Sequence, residues 1–382
     1  MLRARYCDGV GAAAPLSPRA RLLCGPGPTN VDERVLAAMR KPLLGYLDPD
    51  FIQVLDEVVG MLMAAYRCER GLAFPLSSTG TAGMEAGLAA LLEPGETVIV
   101  GIAGYFGRRL ADVAARQGAR VVEVVVTPGD YVPEERLLEV VRAHPEARVV
   151  AVVQAETSSG VRQPLEHLGA GLRHGETLLV ADCVTSLGGI ELEPERWGID
   201  YCYSCTQKCL GALPGMSPVR LSERALERIR DRRAPLPFVF DFALLARYWV
   251  ERPASYHHTP PASPIYALHE ALRLLLEEGL EARWLRHAEA GAALQAGLRE
   301  RGLELLADER FQLPQLTAIR IPDGVDGREV QRRLLHEHGI EIGGALDPSV
   351  PVWRVGLMGV NGTRELAARV LEALDAVLAS SA

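Results

Sequence analysis

Residues 97–126 read TVIVGIAGYFGRRLADVAARQGARVVEVVV. Residues 97–101 form a short apolar run of strand length, and 121–126 a second, β-branched one. Between them, residues 107–117 place their apolar side chains on one helical face. This strand–helix–strand unit decides the fold class, because its pattern repeats on both sides. Outward from it, residues 149–154, 177–182 and 201–206 read as further buried strands, and 134–143 and 165–173 as helices. Alternation from about Arg21 to Thr206 predicts an α/β layer fold with a mainly parallel sheet. In such folds ligands collect at the carboxyl ends of the strands.

The flanks differ. Residues 1–18 are rich in Ala, Gly and Pro without periodicity and read as an arm. Residues 225–264 are aromatic and Pro-rich, with no clean period. Helical patterns follow at 265–278 and 280–301. Short strand candidates (316–321, 340–342, 352–355) then mix with helices at 327–338 and 363–378. The predicted organisation is an arm (1–18), a large domain (19–278) and a smaller C-terminal α+β domain (279–382).

Composition limits the function classes. Of 382 residues, 48% are apolar and 24% charged, which excludes a disordered chain. A net charge of −8 offers no basic footprint for nucleic acid. No uncharged apolar run reaches membrane-spanning length. Asp8, Gly9 and Gly11 interrupt the start, so no signal peptide is expected and the cytoplasm is the predicted compartment. Seven widely spread cysteines do not suggest a disulfide framework, and Cys202 and Cys205 lack a second ligand pair for a metal. His257 and His258 lack metal-site spacing, so no metal is expected.

Only two lysines occur, Lys41 and Lys208. Lys208 lies in Tyr201-Cys-Tyr-Ser-Cys-Thr-Gln-Lys-Cys-Leu-Gly211, at the end of a predicted strand. An amine forms an imine and a guanidinium does not, so Lys208 is the candidate nucleophile, against the plainer reading of a lysine reaching solvent. Ser77-Ser-Thr-Gly-Thr-Ala-Gly83 precedes a helix predicted at 84–92. Its hydroxyls and free N–H groups could cradle a phosphate or merely cap the helix. Asp182 ends an apolar strand at the ligand edge of the sheet. Phe106, in Gly-Tyr-Phe-Gly, could stack on a planar ligand or belong to the core. Arg354, in Val-Trp-Arg-Val-Gly, has the fork that suits a carboxylate. Together these are the parts that a pyridoxal phosphate site needs: a phosphate cradle, a ring-stacking aromatic, an acid for the ring nitrogen, an imine-forming lysine and a carboxylate-binding arginine.

The chain resembles the class V aminotransferases of fold type I, in particular the alanine–glyoxylate/serine–pyruvate group. The resemblance runs from Gly25-Pro-Gly-Pro-Thr-Asn30 to Gly359-Val-Asn-Gly-Thr-Arg364. It includes Gly80-Thr-Ala-Gly-Met-Glu-Ala86, Glu156-Thr-Ser-Ser-Gly160, Ala181-Asp-Cys-Val-Thr-Ser-Leu-Gly-Gly189, Thr206-Gln-Lys208, Tyr256-His-His-Thr259 and Arg354-Val-Gly356. It implies a seven-stranded, mainly parallel sheet in the large domain and pyridoxal 5′-phosphate as cofactor. Lys208 would form the imine and carry the proton, and Asp182 would pair with the ring nitrogen. Phe106 would stack on the ring, with Thr157 near the ring hydroxyl. Gly80, Thr81 and Gln207 would hold the phosphate. Tyr256 and Thr259 would reach the phosphate of the neighbouring subunit, so a homodimer with shared sites is implied. Arg354 would bind the substrate α-carboxylate, and Tyr46 would lie near the substrate. Phe106 stands where the nearest relatives often have Trp, and Thr81 where the animal enzymes have His. The implied reaction moves the amino group of alanine or serine to glyoxylate or pyruvate. Ureidoglycine–glyoxylate, 2-aminoethylphosphonate–pyruvate and pyridoxamine–pyruvate exchange are the alternatives within the class.

Overall fold

The computed structural model describes residues 15–379. The predicted arm therefore falls mostly outside the described residues; its end, 15–18, is exposed and forms no helix or strand. Seven strands make the central sheet: β1 (Leu72–Leu76), β2 (Thr97–Ile102), β3 (Arg120–Val125), β4 (Ala147–Val153), β5 (Leu178–Asp182), β6 (Tyr201–Tyr203) and β7 (Ser217–Leu221). Their order is β1-β7-β6-β5-β4-β2-β3. Every neighbouring pair is parallel except those of β7, which runs antiparallel to both β1 and β6. β2, β4 and β5 are buried along nearly their whole length, which is why they read as unbroken apolar runs.

β1 and β7 are absent from the strands read in the sequence, and the reason is proline. Pro75 and Pro218 interrupt both runs and face each other in the ladder. Pro218 keeps its carbonyl partner, accepting from the Ser204 N–H at 2.7 Å, while Pro75 lies on the edge strand. β6 is shorter than its predicted 201–206. Residues 204–212 turn back instead, with Gly211 N–H donating to the Lys208 carbonyl and Ala212 N–H to that of Thr206, both at 2.9 Å. That turn carries Lys208.

Around the sheet lie helices α1 (Pro49–Ala65), α2 (Gly80–Leu91), α3 (Tyr105–Arg116) and α4 (Glu134–Ala143). α2 starts at Gly80, four residues before the predicted Met84, with Thr79 accepting from Ala82 N–H as its cap. The glycines that suggested a loop are helical here for a packing reason. A Cβ at Gly83 would strike the Ser217 hydroxyl, and one at Gly87 would overlap the Tyr201 ring. Their absence lets α2 lie close on β6 and β7. The stretch without a clean period holds helices at Glu223–Arg230 and Phe242–Trp249, the second capped by Asp241.

Long helices α5 (Ala262–Glu278) and α6 (Leu280–Glu300) lead into the smaller unit. There β8 (Leu316–Arg320) pairs antiparallel with β9 (Val352–Gly356), beside α7 (Gly327–Glu337) and α8 (Arg364–Ala379). Its core joins Leu294, Leu298, Trp353, Val355 and Leu374 with Cys24. Leu22–Leu23 also pairs parallel with Ile340–Glu341. Residues 22–24, read as the start of the large domain, thus help build the smaller core. A two-residue strand is too short for periodicity to register.

Candidate active site

β1, β2, β4, β5 and β6 run the same way, so their carboxyl ends open on one edge of the sheet. β1 leads into the first turn of α2, and β2 into the first turn of α3. β4 leads into the hairpin that holds residues 155–162, β5 ends at Asp182, and β6 feeds the Lys208 turn. Gly80, Thr81, Phe106, Thr157, Asp182, Gln207 and Lys208 line one cavity of about 170 Å³ between these ends.

Asp182 is buried. Its Oδ1 accepts from Val184 N–H at 2.9 Å and its Oδ2 from the Tyr203 hydroxyl at 2.7 Å. Burial raises its carboxyl to about 6; the two hydrogen bonds oppose that rise and the charge of Glu156 adds to it. At neutral pH the carboxylate form still prevails, and a nearby cation lowers the cost of burying it. Lys208 Nζ donates to the Pro26 carbonyl, and the backbone presses against the lysine at Gly27, where a Cβ would overlap its side chain. Gly27 has φ +113°, a conformation that favours glycine. Burial lowers the Lys208 ammonium from the ordinary lysine value, the Cys205 and Cys209 sulfurs oppose this, and the Arg354 charge adds to it. A neutral amine is the form that attacks a carbonyl.

Arg354, on β9, comes from the smaller unit and is 5% exposed. Its Nε donates to the Gly344 carbonyl at 2.7 Å and its Nη1 to the Thr157 carbonyl at 3.3 Å. Among the described residues no carboxylate forms an ion pair with it, and burial lowers it to about 10, with Glu156 as the opposing charge. A buried guanidinium with only carbonyl partners is an incomplete site for an anion.

Tyr46, Tyr256 and Thr259 do not line this cavity. The Tyr46 and Tyr256 rings stack at 6.4 Å, both exposed, and the Tyr256 hydroxyl meets Thr259 Oγ1 at 3.0 Å. This segment is tethered beside the α2 cradle, because His258 Nε2 lies 2.9 Å from Ser77 Oγ.

Three further residues belong to the site. Glu156 is fully buried and accepts four bonds: from the N–H groups of Phe106 (3.0 Å) and Gly107 (3.1 Å), and from Ser158 N–H (3.0 Å) and Oγ (2.6 Å). It caps α3 and so sets the backbone under Phe106. Burial raises its carboxyl despite these donors. An acid among small residues just past a strand was a signal of the same kind as Asp182. Tyr203 lies opposite Asp182 in the β5–β6 ladder, a register the sequence does not reveal. Arg109 lines the cavity one helical turn after Phe106. All six described cysteines are free and buried.

The donor set suits pyridoxal phosphate. The first N–H groups of α2 have no intrahelical acceptor, and the side chain of Gln207, whose amide NH2 can donate, lines the cavity beside them. An aromatic face, an acid and an amine complete it. Residues 76–347 match the family described as Aminotransferase class-V. Over 94% of its length the chain is 38% identical to the (S)-ureidoglycine–glyoxylate transaminase of Bacillus subtilis strain 168, covering 90% of that protein. Over 96% it is 37% identical to the alanine–glyoxylate aminotransferase of Drosophila melanogaster, covering 94% of it. The crystal structure of an alanine–glyoxylate aminotransferase from Nostoc sp. superposes with a TM-score of 0.93 at 45% identity, over 96% of this chain and 97% of that one.

Proposed function

This chain belongs to the class V aminotransferases, and we propose that it moves the amino group of alanine or serine to glyoxylate or pyruvate by alternating half-reactions at one site. The family uses pyridoxal 5′-phosphate, which supplies an aldehyde for imine formation and a ring that withdraws electrons from the substrate Cα. The observation that carries the reading is Arg354: a buried guanidinium bonded to the carbonyl of Thr157, which lines the cavity, and with no carboxylate ion-paired to it among the described residues. It fits the one group that all amino and 2-oxo acids share. Lys208 Nζ, poised toward its neutral form, takes the proton from Cα. Asp182, held by Tyr203 and Val184, keeps a ring nitrogen protonated by its charge. Phe106 would orient the ring, Gly80, Thr81 and Gln207 would hold the phosphate, and Thr157 would serve the ring hydroxyl.

The enzyme acts as a homodimer in this proposal. Tyr256 and Thr259 lie outside their own cavity, and Tyr46, Leu43, Leu47 and Phe238 leave exposed apolar surface. They would complete the neighbour's phosphate site and substrate entrance. No helix among the described residues is long and apolar enough to cross a membrane. Free, buried thiols suit a reducing compartment, the cytoplasm. A second reading has ureidoglycine as donor, supported by nearly equal identity to the B. subtilis and D. melanogaster enzymes. A matrix of donors and acceptors on purified enzyme tests both. Fastest turnover with alanine or serine and glyoxylate or pyruvate supports the first; a clear preference for ureidoglycine replaces it with the second.

A further inference from the structure

The phosphate residues named above are all neutral: Gly80, Thr81 and Gln207 of one subunit, with Tyr256 and Thr259 of the other. A phosphate monoester brings nearly two negative charges at neutral pH. The charged side chains lining the cavity are Asp182, Lys208 and Arg109. Asp182 is committed to the ring nitrogen and Lys208 to the imine. Arg354 approaches from the side of Thr157, where the substrate carboxylate belongs.

Arg109 remains. Its guanidinium carbon lies 4.9 Å from the Phe106 ring centroid and 5.1 Å from that of Tyr105. A delocalised cation rests on aromatic faces without using up its N–H donors. Among the described residues its side chain makes one hydrogen bond, and that is long: Nη1 donates to Thr81 Oγ1 at 3.4 Å. Among the described residues no carboxylate forms an ion pair with it, in a chain whose surface arginines are widely paired. Thr81 lies in the first turn of α2, where the helix already favours an anion. An unpaired guanidinium is therefore held against the hydroxyl of the neutral cradle, one turn along α3 from the ring-stacking residue.

We propose that Arg109 is the cation of the cofactor-phosphate site, donating to phosphate oxygens from the α3 side while Thr81 and the α2 N-terminus donate from the other. The inference rests on the pyridoxal phosphate reading of the cavity. It also gives Phe106 a second task, since its ring would orient the cofactor and steady the arginine that reads the phosphate.

The test separates the phosphate from the ring. Full-length enzyme is stripped of cofactor and titrated with pyridoxal phosphate and with pyridoxal, following visible absorbance. In the wild type the phosphate form should bind far more tightly. Arg109→Gln should weaken pyridoxal phosphate by roughly ten- to a hundredfold, as for a charge-assisted hydrogen bond, and pyridoxal by less than about twofold. Arg109→Lys, which keeps the charge but not the fork, should fall between. Inorganic phosphate should slow reconstitution of the wild type and not of Arg109→Gln. Equal losses for both ligands in the Gln and Lys variants would assign Arg109 to the ring or the fold and overturn the proposal, as would unchanged binding of pyridoxal phosphate. If Arg109→Gln does not fold, Arg109→Lys with Thr81→Ala and their double variant decide: the pair should be non-additive for the phosphate form alone, and additive losses refute the contact. If wild-type enzyme binds neither compound, or prefers pyridoxal, the reading of the cavity itself fails.

Discussion

Arg354→Lys tests the substrate half of the site. Arg354 spends two N–H groups on the Gly344 and Thr157 carbonyls, which fix the plane of the guanidinium. The remaining donors form the fork offered to a carboxylate. Lysine has three donors on one nitrogen and cannot keep both anchors and a two-point grip. Misplacing one partner of a buried charged pair costs about 2–4 kcal/mol. That is about a thirtyfold to about a thousandfold loss in kcat/KM. Burial makes the effect depend on pH. It lowers Arg354 to about 10, which leaves the arginine charged at neutral pH. Lysine starts about two pH units lower, so the same burial brings its ammonium toward the assay range. The loss should therefore deepen as pH rises above neutral. Single-turnover absorbance of both half-reactions is the assay. The loss should be similar for every amino donor and every 2-oxo acid, because all present the α-carboxylate, and bound cofactor should survive. A loss confined to one donor would mean that Arg354 reads a side chain. Release of cofactor would move it to the phosphate or the fold.

Lys208→Ala should leave a folded protein that lacks the visible imine band and has lost several orders of magnitude in turnover. Lys41 is exposed and cannot substitute, so near-normal turnover would overthrow the assignment. Asp182→Asn should bind cofactor but lose roughly two orders of magnitude or more in turnover. In cofactor-free enzyme the folded Asp182, at about 6, titrates above its unfolded value of 3.8. The protonated acid is the form that burial tolerates, so its stabilisation is present at low pH and is lost as pH rises through about 6. Raising the pH from about 4.5 to about 7 should thus shift the denaturant midpoint further toward stability in Asp182→Asn than in the wild type; an unchanged shift removes the effect from Asp182. Mixed dimers of a Lys208→Ala chain and a Tyr256→Phe/Thr259→Ala chain concentrate both defects in one site. They should recover up to about half of wild-type activity, the ceiling for one intact site of two. Activity no higher than that of Lys208→Ala dimers would put the phosphate contacts within one chain.

Much of the architecture was legible because short-range physics writes it. β2, β4 and β5 are buried on both faces, so their apolar runs stand out. The helices at Glu134–Ala143 and Leu280–Glu300 show their own periodicity or length. Where local and tertiary demands disagree, the sequence misleads. Gly80 and Gly83 look like loop residues yet lie in α2, where the close approach of the sheet leaves no room for a Cβ at Gly83. Pro75 and Pro218 mask two strands whose pairing the sheet tolerates.

The letters alone single out the groups able to do the chemistry. With two lysines, only Lys208 follows a strand, and Asp182 ends another. Each is a local statement about one residue at one strand end. Which of them meet is settled by the fold. The parallel register puts the Tyr203 hydroxyl on Asp182, and the buried Glu156 under Phe106 links β4 to α3. The second unit's β9 brings Arg354 to the Thr157 carbonyl, 197 positions away in the chain. Register and domain packing are set by the fit of whole surfaces. No pattern along one stretch of chain encodes them, and for that reason the cast was readable from the letters while its arrangement waited for the fold.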